Sequence, residues 1–514
     1  MAGNAAIVAM AYAVSRVLGM VREVVIAARF GTGEDYDAYI AAFRIPDLLF
    51  VLVMSGAFGS AFIPVFGGYL ARGDEQRAWK LANALLTWTV IVLAVVAQLI
   101  LLFAEPLVKG LIAPEMSPDG QDLAIDLTRM LLLSPLLLGL GAAAKGMLEA
   151  QELFTLPAIA PIVYNLGIIV GAALLAPAWG AYGLAWGVIL GALGHCGIQF
   201  AYLLRNGLRI RPVFSLRTEG MGEVGRLVGP RLFSQLVGQS NLIVMTNFAS
   251  RAAEGSISAL YYGQHLVMLP HGILALSLST VIFPRMARQF GLGQVDELRQ
   301  TLSRAIRPLV FLTVPAVLVL LLLRTSIVHV LLQYGQFAAD STEKVSEAVA
   351  WFALGLLARS VIEPLTRAFH AMHDTMTPLL VSVGSVALNV GLSWVLLDEM
   401  GFGGLALSMS ISYSARMLAL LGLASVRIPG LAVGLLKPLA RMLPATAVVA
   451  GLGLLVGDPL AGVTDPEQGR SVWDYAAFVV TLAGLAAVYL GVAFVTRVPE
   501  VRAIGGGIWR RLRR

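Results

Sequence analysis

The chain has 514 residues, of which 58% are hydrophobic and 13% charged, with a mean hydropathy of +0.80. That apolar share excludes an ordinary soluble globular domain. The net charge of +6 calls for no nucleic acid, because basic loops facing anionic headgroups account for it, and the single Cys196 excludes an intramolecular disulfide and a Cys-rich metal site.

Apolar windows long enough to cross a bilayer recur along the chain. Six are predicted near residues 5–28, 36–68, 81–104, 122–149, 156–176 and 180–204. Six more lie near 226–250, 257–284, 305–333, 345–371, 375–397 and 402–426, and two near 437–457 and 473–496. No short apolar stretch ending in a small-residue cleavage site precedes the first window, so the first helix is expected to be retained.

Lys and Arg mark alternate loops. Arg72, Arg77 and Lys80, then Arg205, Arg209 and Arg211, then Arg285, Arg288 and Arg299, and finally Arg427 and the Arg510–Arg514 tail fall on one side. Glu105, Glu115, Asp398, Glu399, Asp458 and Asp465 fall on the other. The positive-inside bias then places both termini in the cytoplasm, which suits an even number of spans.

A displacement of 221 residues relates Ala150, Pro157 and Gly183-Leu184-Ala185 to Ala371, Pro378 and Gly404-Leu405-Ala406, and one of 220 relates Phe62-Ile63-Pro64 to Ile282-Phe283-Pro284. The repeated unit holds six spans, so its two copies keep one orientation. The expected fold is an all-α polytopic membrane protein of about 14 transmembrane helices. Two six-helix lobes, 1–220 and 221–430, form a parallel repeat around a central cavity, and 431–514 supplies two further helices and a basic tail.

The first two windows carry charges that lipid would not tolerate. Arg16, Arg22 and Glu23 lie in one, and Asp37, Arg44 and Asp47 in the other. An ionised side chain at mid-bilayer costs roughly 2.5–3.5 kcal/mol even on lenient scales, so these groups imply a hydrated interior and a binding site. Arginine's planar fork suits phosphate or pyrophosphate. The alternative is that Arg22 pairs with Glu23 or Asp37 and the cluster only joins helices. Arg29, Glu34 and Asp35 read as a solvated loop. His370, His373 and Asp374 lack the further ligands a metal site needs. No phosphate-cradling glycine loop, zinc-protease motif or soluble nucleotide domain is present, so the sequence indicates a transporter rather than an enzyme, with no cofactor.

Ser15-Arg16-Val17-Leu18-Gly19, Val21-Arg22-Glu23, Ala28-Arg29-Phe30-Gly31, Asp37-Ala38-Tyr39, Ala42-Phe43-Arg44-Ile45-Pro46 and Gly56-Ala57-Phe58 resemble the opening of the MurJ (MviN) lipid II flippases. Ala160-Pro161-Ile162-Val163-Tyr164-Asn165, Tyr261-Tyr262, Gly335-Gln336-Phe337 and Arg367-Ala368-Phe369 extend the likeness to about residue 430. The resemblance implies membership of the superfamily of drug and polysaccharide exporters, a V-shaped two-lobed fold in the bacterial inner membrane, and transfer of undecaprenyl-pyrophosphate-linked peptidoglycan precursor to the outer leaflet by alternating access. It also implies that the last two spans help form a groove for the lipid tail.

By the same resemblance Arg16, Arg22, Glu23, Asp37 and Arg44 are substrate-site residues, with Glu23 and Asp37 orienting the arginines or exchanging partners. Phe50-Val51 stand where relatives carry a basic pair, and Ser55 where they carry an acid. The Tyr-Ala-Asp-Arg pattern of the eighth span reads Tyr262-Gly263-Gln264-His265, so His265 takes an arginine's place. Histidine titrates near pH 6.5 in water, which suggests conditional anion binding by His265, with His271 the other candidate imidazole. The expected partners are lipid II and membrane lipids, with coupling to an ion or the membrane potential left open. A polyprenyl-linked polysaccharide exporter, a cation-coupled drug antiporter and a non-transporting cell-wall scaffold are the other readings.

Overall fold

The computed structural model describes residues 2–53, 62–215, 217–458 and 472–501. Ser55, the Gly56-Ala57-Phe58 run, Asp465 and the Arg510–Arg514 tail lie outside them. Of the described residues 86% are helical, and none of them forms a strand. In chain order the helices are α1 (Ala2–Phe30), α2 (Glu34–Val53), α3 (Ile63–Ala71), α4 (Glu75–Leu107), α5 (Pro118–Leu131), α6 (Leu133–Ala150), α7 (Thr155–Val170), α8 (Ala176–Arg205) and α9 (Met221–Ala249). They continue with α10 (Ser256–Gly291), α11 (Val295–Leu322), α12 (Arg324–Leu332), α13 (Ala339–Ala371), α14 (Met376–Met400), α15 (Phe402–Arg427), α16 (Leu431–Ala440), α17 (Leu443–Val456) and α18 (Val472–Val495).

Eight helical runs among the described residues are long and apolar enough to cross a membrane, nine if the bent pair α16 and α17 is one span. The count of fourteen is therefore not established by length and hydropathy. One cause is charge: Asp37, Arg44 and Asp47 lower the hydropathy of α2. Another is the run Thr155–Arg205, whose 51 residues would measure about 75 Å as one rod, well over twice the hydrocarbon core. It is a hairpin, broken at Gly180, where φ is 54° and ψ is −136°.

The hairpin's two arms touch through glycine. A Cβ at Gly167 would overlap the backbone of Gly191, and one at Gly187 the backbone of Gly171, so α7 and α8 run antiparallel in backbone contact. Close approach of small residues is how helices associate where no hydrophobic force separates protein from lipid. Gly187→Val should cost about 3 kcal/mol through overpacking, read as a lower thermal midpoint of the detergent-solubilised protein.

The repeat seen in the sequence recurs in backbone geometry. Gly180 and Gly401, 221 residues apart, share a conformation that only glycine adopts readily, with φ of 54° and 59° and ψ of −136° and −146°. Glu152 and His373, also 221 apart, both take positive φ, at 62° and 59°. A Cβ at Gly183 would overlap Leu175, and one at Gly404 would overlap Leu396, again at the same displacement. The α7–α8 hairpin thus has its counterpart in α14 and α15.

Compactness divides the chain into Met1–Ser258 with Tyr334–Phe337, and Ala259–Gln333 with Ala338–Arg514. The repeat draws its line near residue 220, whereas compactness keeps α9 with the first unit, where it packs on α2. The first unit's core includes Phe62, Phe66, Leu81, Ala143 and Met147. Its short segment Tyr334–Phe337 docks on the end of α1, with the Gln336 amide donating to the Ala28 carbonyl at 2.8 Å. The second unit's core gathers Phe311, Leu365, Phe369, Leu420 and Tyr489, and the Tyr489 hydroxyl donates to the Phe311 carbonyl at 2.9 Å, tying α18 to α11.

Asp374 closes the turn between α13 and α14. It accepts from the Thr377 amide at 2.9 Å and hydroxyl at 2.6 Å, and it pairs with Arg427 in the last turn of α15. Burial alone would raise the pKa of its carboxyl, but the Thr377 hydrogen bonds and the Arg427 guanidinium outweigh that and hold it at about 2. A depressed carboxyl contributes stability that is complete above its unfolded pKa of about 3.9 and vanishes as pH falls through 2. The gap in thermal midpoint between wild type and Asp374→Asn should therefore hold constant from pH 7 to about 5 and close towards pH 2. An equal gap at both extremes would contradict the assignment.

Candidate functional site

The first unit builds a charged cluster from α1, α2 and α7. Arg22 is half-buried on α1, and its Nε donates to Glu23 Oε1 at 3.2 Å in an ion pair. Its Nη1 donates to Asn165 Oδ1 on α7 at 3.1 Å, while Asn165 Nδ2 donates to the Ser15 carbonyl at 3.2 Å. Asn165 is thus fixed at both ends and holds one arm of the guanidinium. Glu23 is buried at 6% exposure, and its second oxygen, Oε2, has no hydrogen-bond partner among the described residues. Tyr164, beside Asn165, lies within electrostatic range of both Arg22 and Asp47.

On α2, Arg44 Nε donates to the Thr246 hydroxyl of α9 at 2.7 Å, and Asp47 accepts from Gln239 Nε2 at 3.2 Å. These contacts fasten α9 to α2 and aim the Arg44 side chain. Arg16 is exposed, six residues before the half-buried Arg22, which agrees with the rotation of about 120° between them on a regular helix. Arg29 departs from the expected solvated loop. It sits half-buried in the last turn of α1, where its Nη2 donates to the Ala176 carbonyl at 3.4 Å.

Asp37 does not orient an arginine. Its buried carboxylate accepts from the Gly255 amide at 2.8 Å and the Ser258 amide at 2.7 Å, at the start of α10, and it joins no ion pair among the described residues. The physical reason is the unpaired amides and positive dipole end of a helix N-terminus, which attract a carboxylate. Asn165 is the partner of Arg22 that charge-based reasoning passed over. Its signal was a buried amide within an otherwise apolar helix.

The second unit holds His265, exposed on α10. Its Nδ1 lies 2.9 Å from the Tyr261 carbonyl, and its ring centroid lies 4.1 Å from that of Tyr261. A carbonyl only accepts, so Nδ1 carries the proton in this contact. His271 is buried, with Nδ1 3.4 Å from the Ser360 hydroxyl, which leaves His265 as the accessible imidazole of the two.

The family profile of the lipid II flippase MurJ matches residues 26–461. The chain belongs to the MurJ family. Among its relatives, the lipid II flippase MurJ of Burkholderia cenocepacia is 30% identical over 450 residues, covering 85% of this chain and 86% of that protein. A probable lipid II flippase MurJ of Rhizobium meliloti is 30% identical over 518 residues, covering 97% and 93%. In fold, the chain is similar to a lipid II flippase MurJ solved in an inward closed conformation, at a TM-score of 0.77 and 23% identity over 97% of this chain and 99% of that one. An inward-facing multidrug resistance MATE transporter of the MOP superfamily shares the fold more distantly, at a TM-score of 0.67 and 15% identity over 81% and 95%. The chain is a multi-pass membrane protein of a transporter family.

Proposed function

We propose that this MurJ-family chain moves lipid II, the undecaprenyl-pyrophosphate-linked peptidoglycan precursor, from the inner to the outer leaflet of the bacterial inner membrane by alternating access, with both termini cytoplasmic. The observation that carries the site assignment is Arg22. A guanidinium on a largely apolar helix, held on one side by Glu23 and on the other by Asn165, is preorganised to meet an anionic headgroup. Arg16 and Arg44 add positive charge on α1 and α2 for a diphosphate. Glu23 sets the direction of Arg22, and Asp37 acts at one remove, by fixing α2 against the first turn of α10.

Membrane potential suits this direction of transport. Each negative charge carried outward through 100 mV, inside negative, gains roughly 2.3 kcal/mol. His265 offers a further anion contact, because it is exposed and its ring is held by the Tyr261 carbonyl. If it meets the headgroup, His265→Gln lowers transport at equal protein level, while unchanged transport assigns the ring to packing on Tyr261. The last two spans, α17 and α18, would supply the groove for the lipid tail.

The function is tested in bacterial cells depleted of their own lipid II flippase and supplied with this chain. Newly made precursor should become accessible to an externally added lipid II-cleaving enzyme. Correctly inserted protein without such exposure would exclude lipid II and direct attention to another polyprenyl-linked or drug substrate.

A further inference from the structure

The second unit contains a charged cluster of its own, on α13 and α15. The two helices touch where a Cβ at Gly355 would overlap Ser410, and a helical turn further along stand Arg359, Tyr413 and Arg416. Arg359 Nη1 lies 3.1 Å from the Tyr413 hydroxyl, and its guanidinium stands 5.1 Å from that ring's centroid. Arg416 is within electrostatic range of Tyr413, Glu363 and Arg359, and its buried Nε has no hydrogen-bond partner among the described residues. A small pocket opens beside them, lined by Gln264, Arg359, Ser410 and Tyr413 over Phe352 and Leu356.

Depth makes this cluster unusual. Arg359 stands twelve residues before the end of α13 and Arg416 eleven before the end of α15, so both are about 17 Å from the helix ends at 1.5 Å per residue. Glu363 is the acid beside them, yet it joins no ion pair among the described residues. Two arginines at mid-membrane depth with one unpaired carboxylate leave positive charge uncompensated, which the low-dielectric interior does not tolerate without a counter-ion. Structural glue would place Glu363 in contact with an arginine.

We propose that Arg359 and Arg416, with the Tyr413 hydroxyl between the two helices, form an anion site within the second unit that takes a phosphate- or carboxylate-class oxyanion. Arginine forks give such a group paired N–H donors, and the free Nε of Arg416 supplies one of them.

The test uses the full chain in phosphatidylcholine nanodiscs, carrying Arg16→Gln and Arg22→Gln so that the first unit's cluster is silenced, and titrates inorganic phosphate against chloride at constant ionic strength by calorimetry. Saturable phosphate binding is expected, weakened at least tenfold by Arg416→Gln and severalfold by Tyr413→Phe, which keeps every charge. Should Arg416→Gln fail to fold, Arg359→Gln and Tyr413→Phe answer the same question. Absent phosphate binding, or binding indifferent to Arg359 and Tyr413, would overturn the proposal. A short-chain polyprenyl diphosphate in the nanodisc that competes with phosphate assigns the site to a lipid-linked headgroup, and failure to compete assigns it to a soluble anion. Because the background lacks Arg22, the outcome is independent of whether the chain transports lipid II.

Discussion

Arg22→Ala should reduce surface exposure of lipid II in flippase-depleted cells by about a hundredfold at equal protein level. A hydrogen bond to a charged group contributes about 1.5–3 kcal/mol, and losing about 3 kcal/mol of headgroup interaction corresponds to that factor. The substitution also leaves Glu23 buried without its cation. Removing one partner of a buried pair costs about 3–5 kcal/mol, and the 21% exposure of the Arg22 side chain places this case at the lower end. Stability and transport must therefore be separated. The double variant Arg22→Ala, Glu23→Ala removes the orphaned carboxylate and should regain most of the thermal midpoint while staying inactive. Asn165→Ala keeps the charge but frees one arm of the guanidinium, so transport should fall by about tenfold with a small change in midpoint. Wild-type exposure from a well-expressed Arg22→Ala protein would retire the α1 cluster as the headgroup site.

How much of this was legible in the sequence depends on the range of the interaction concerned. Arg16, Arg22, Arg44 and Asp47 were visible because charge within an apolar run is costly wherever the helix ends up. The repeat was visible through Pro157, Gly183 and their counterparts, because turns and helix contacts impose local residue choices. The same displacement then proved to govern Gly180 and Gly401, where a backbone conformation open mainly to glycine fixed the residue type in both copies. Partners were not legible. Nothing in one dimension distinguishes an Asp37 that faces an arginine from one that faces amides 218 residues away, since both are carboxylates at the start of a helix. Asn165 was hidden for the opposite reason, because a neutral amide in an apolar helix carries a weaker signal than a charge. Span counting illustrates a third limit. The fourteen windows include α2 and separate 156–176 from 180–204, whereas a count by helix length and hydropathy leaves out α2, which carries Asp37, Arg44 and Asp47, and joins the two arms of the hairpin that turns at Gly180.

Asp37→Ala should lower the stability of the detergent-solubilised protein by about 4 kcal/mol, a loss of thermal midpoint rather than of headgroup affinity. Two buried amides, those of Gly255 and Ser258, lose their acceptor, and each unsatisfied buried donor costs about 1–3 kcal/mol. The negative charge at the N-terminus of α10 is lost as well, a further contribution of about 0.3–1 kcal/mol. Asp37→Asn separates these effects. Its remaining carbonyl oxygen can serve one amide, whereas the added NH2 must turn towards the other, so about half the destabilisation should persist. The transport readout then decides the role. If Asp37 acts by holding α2 against the first turn of α10, lipid II exposure by Asp37→Asn will follow the amount of folded protein, and lowering the assay temperature will restore it. If the carboxylate instead changes partners with Arg22 or Arg44 during transport, Asp37→Asn will be inactive even where it is fully folded, because an amide cannot pair with a guanidinium as a carboxylate does. The first outcome is the one expected, since both carboxylate oxygens already accept from backbone amides that no side-chain movement can carry away.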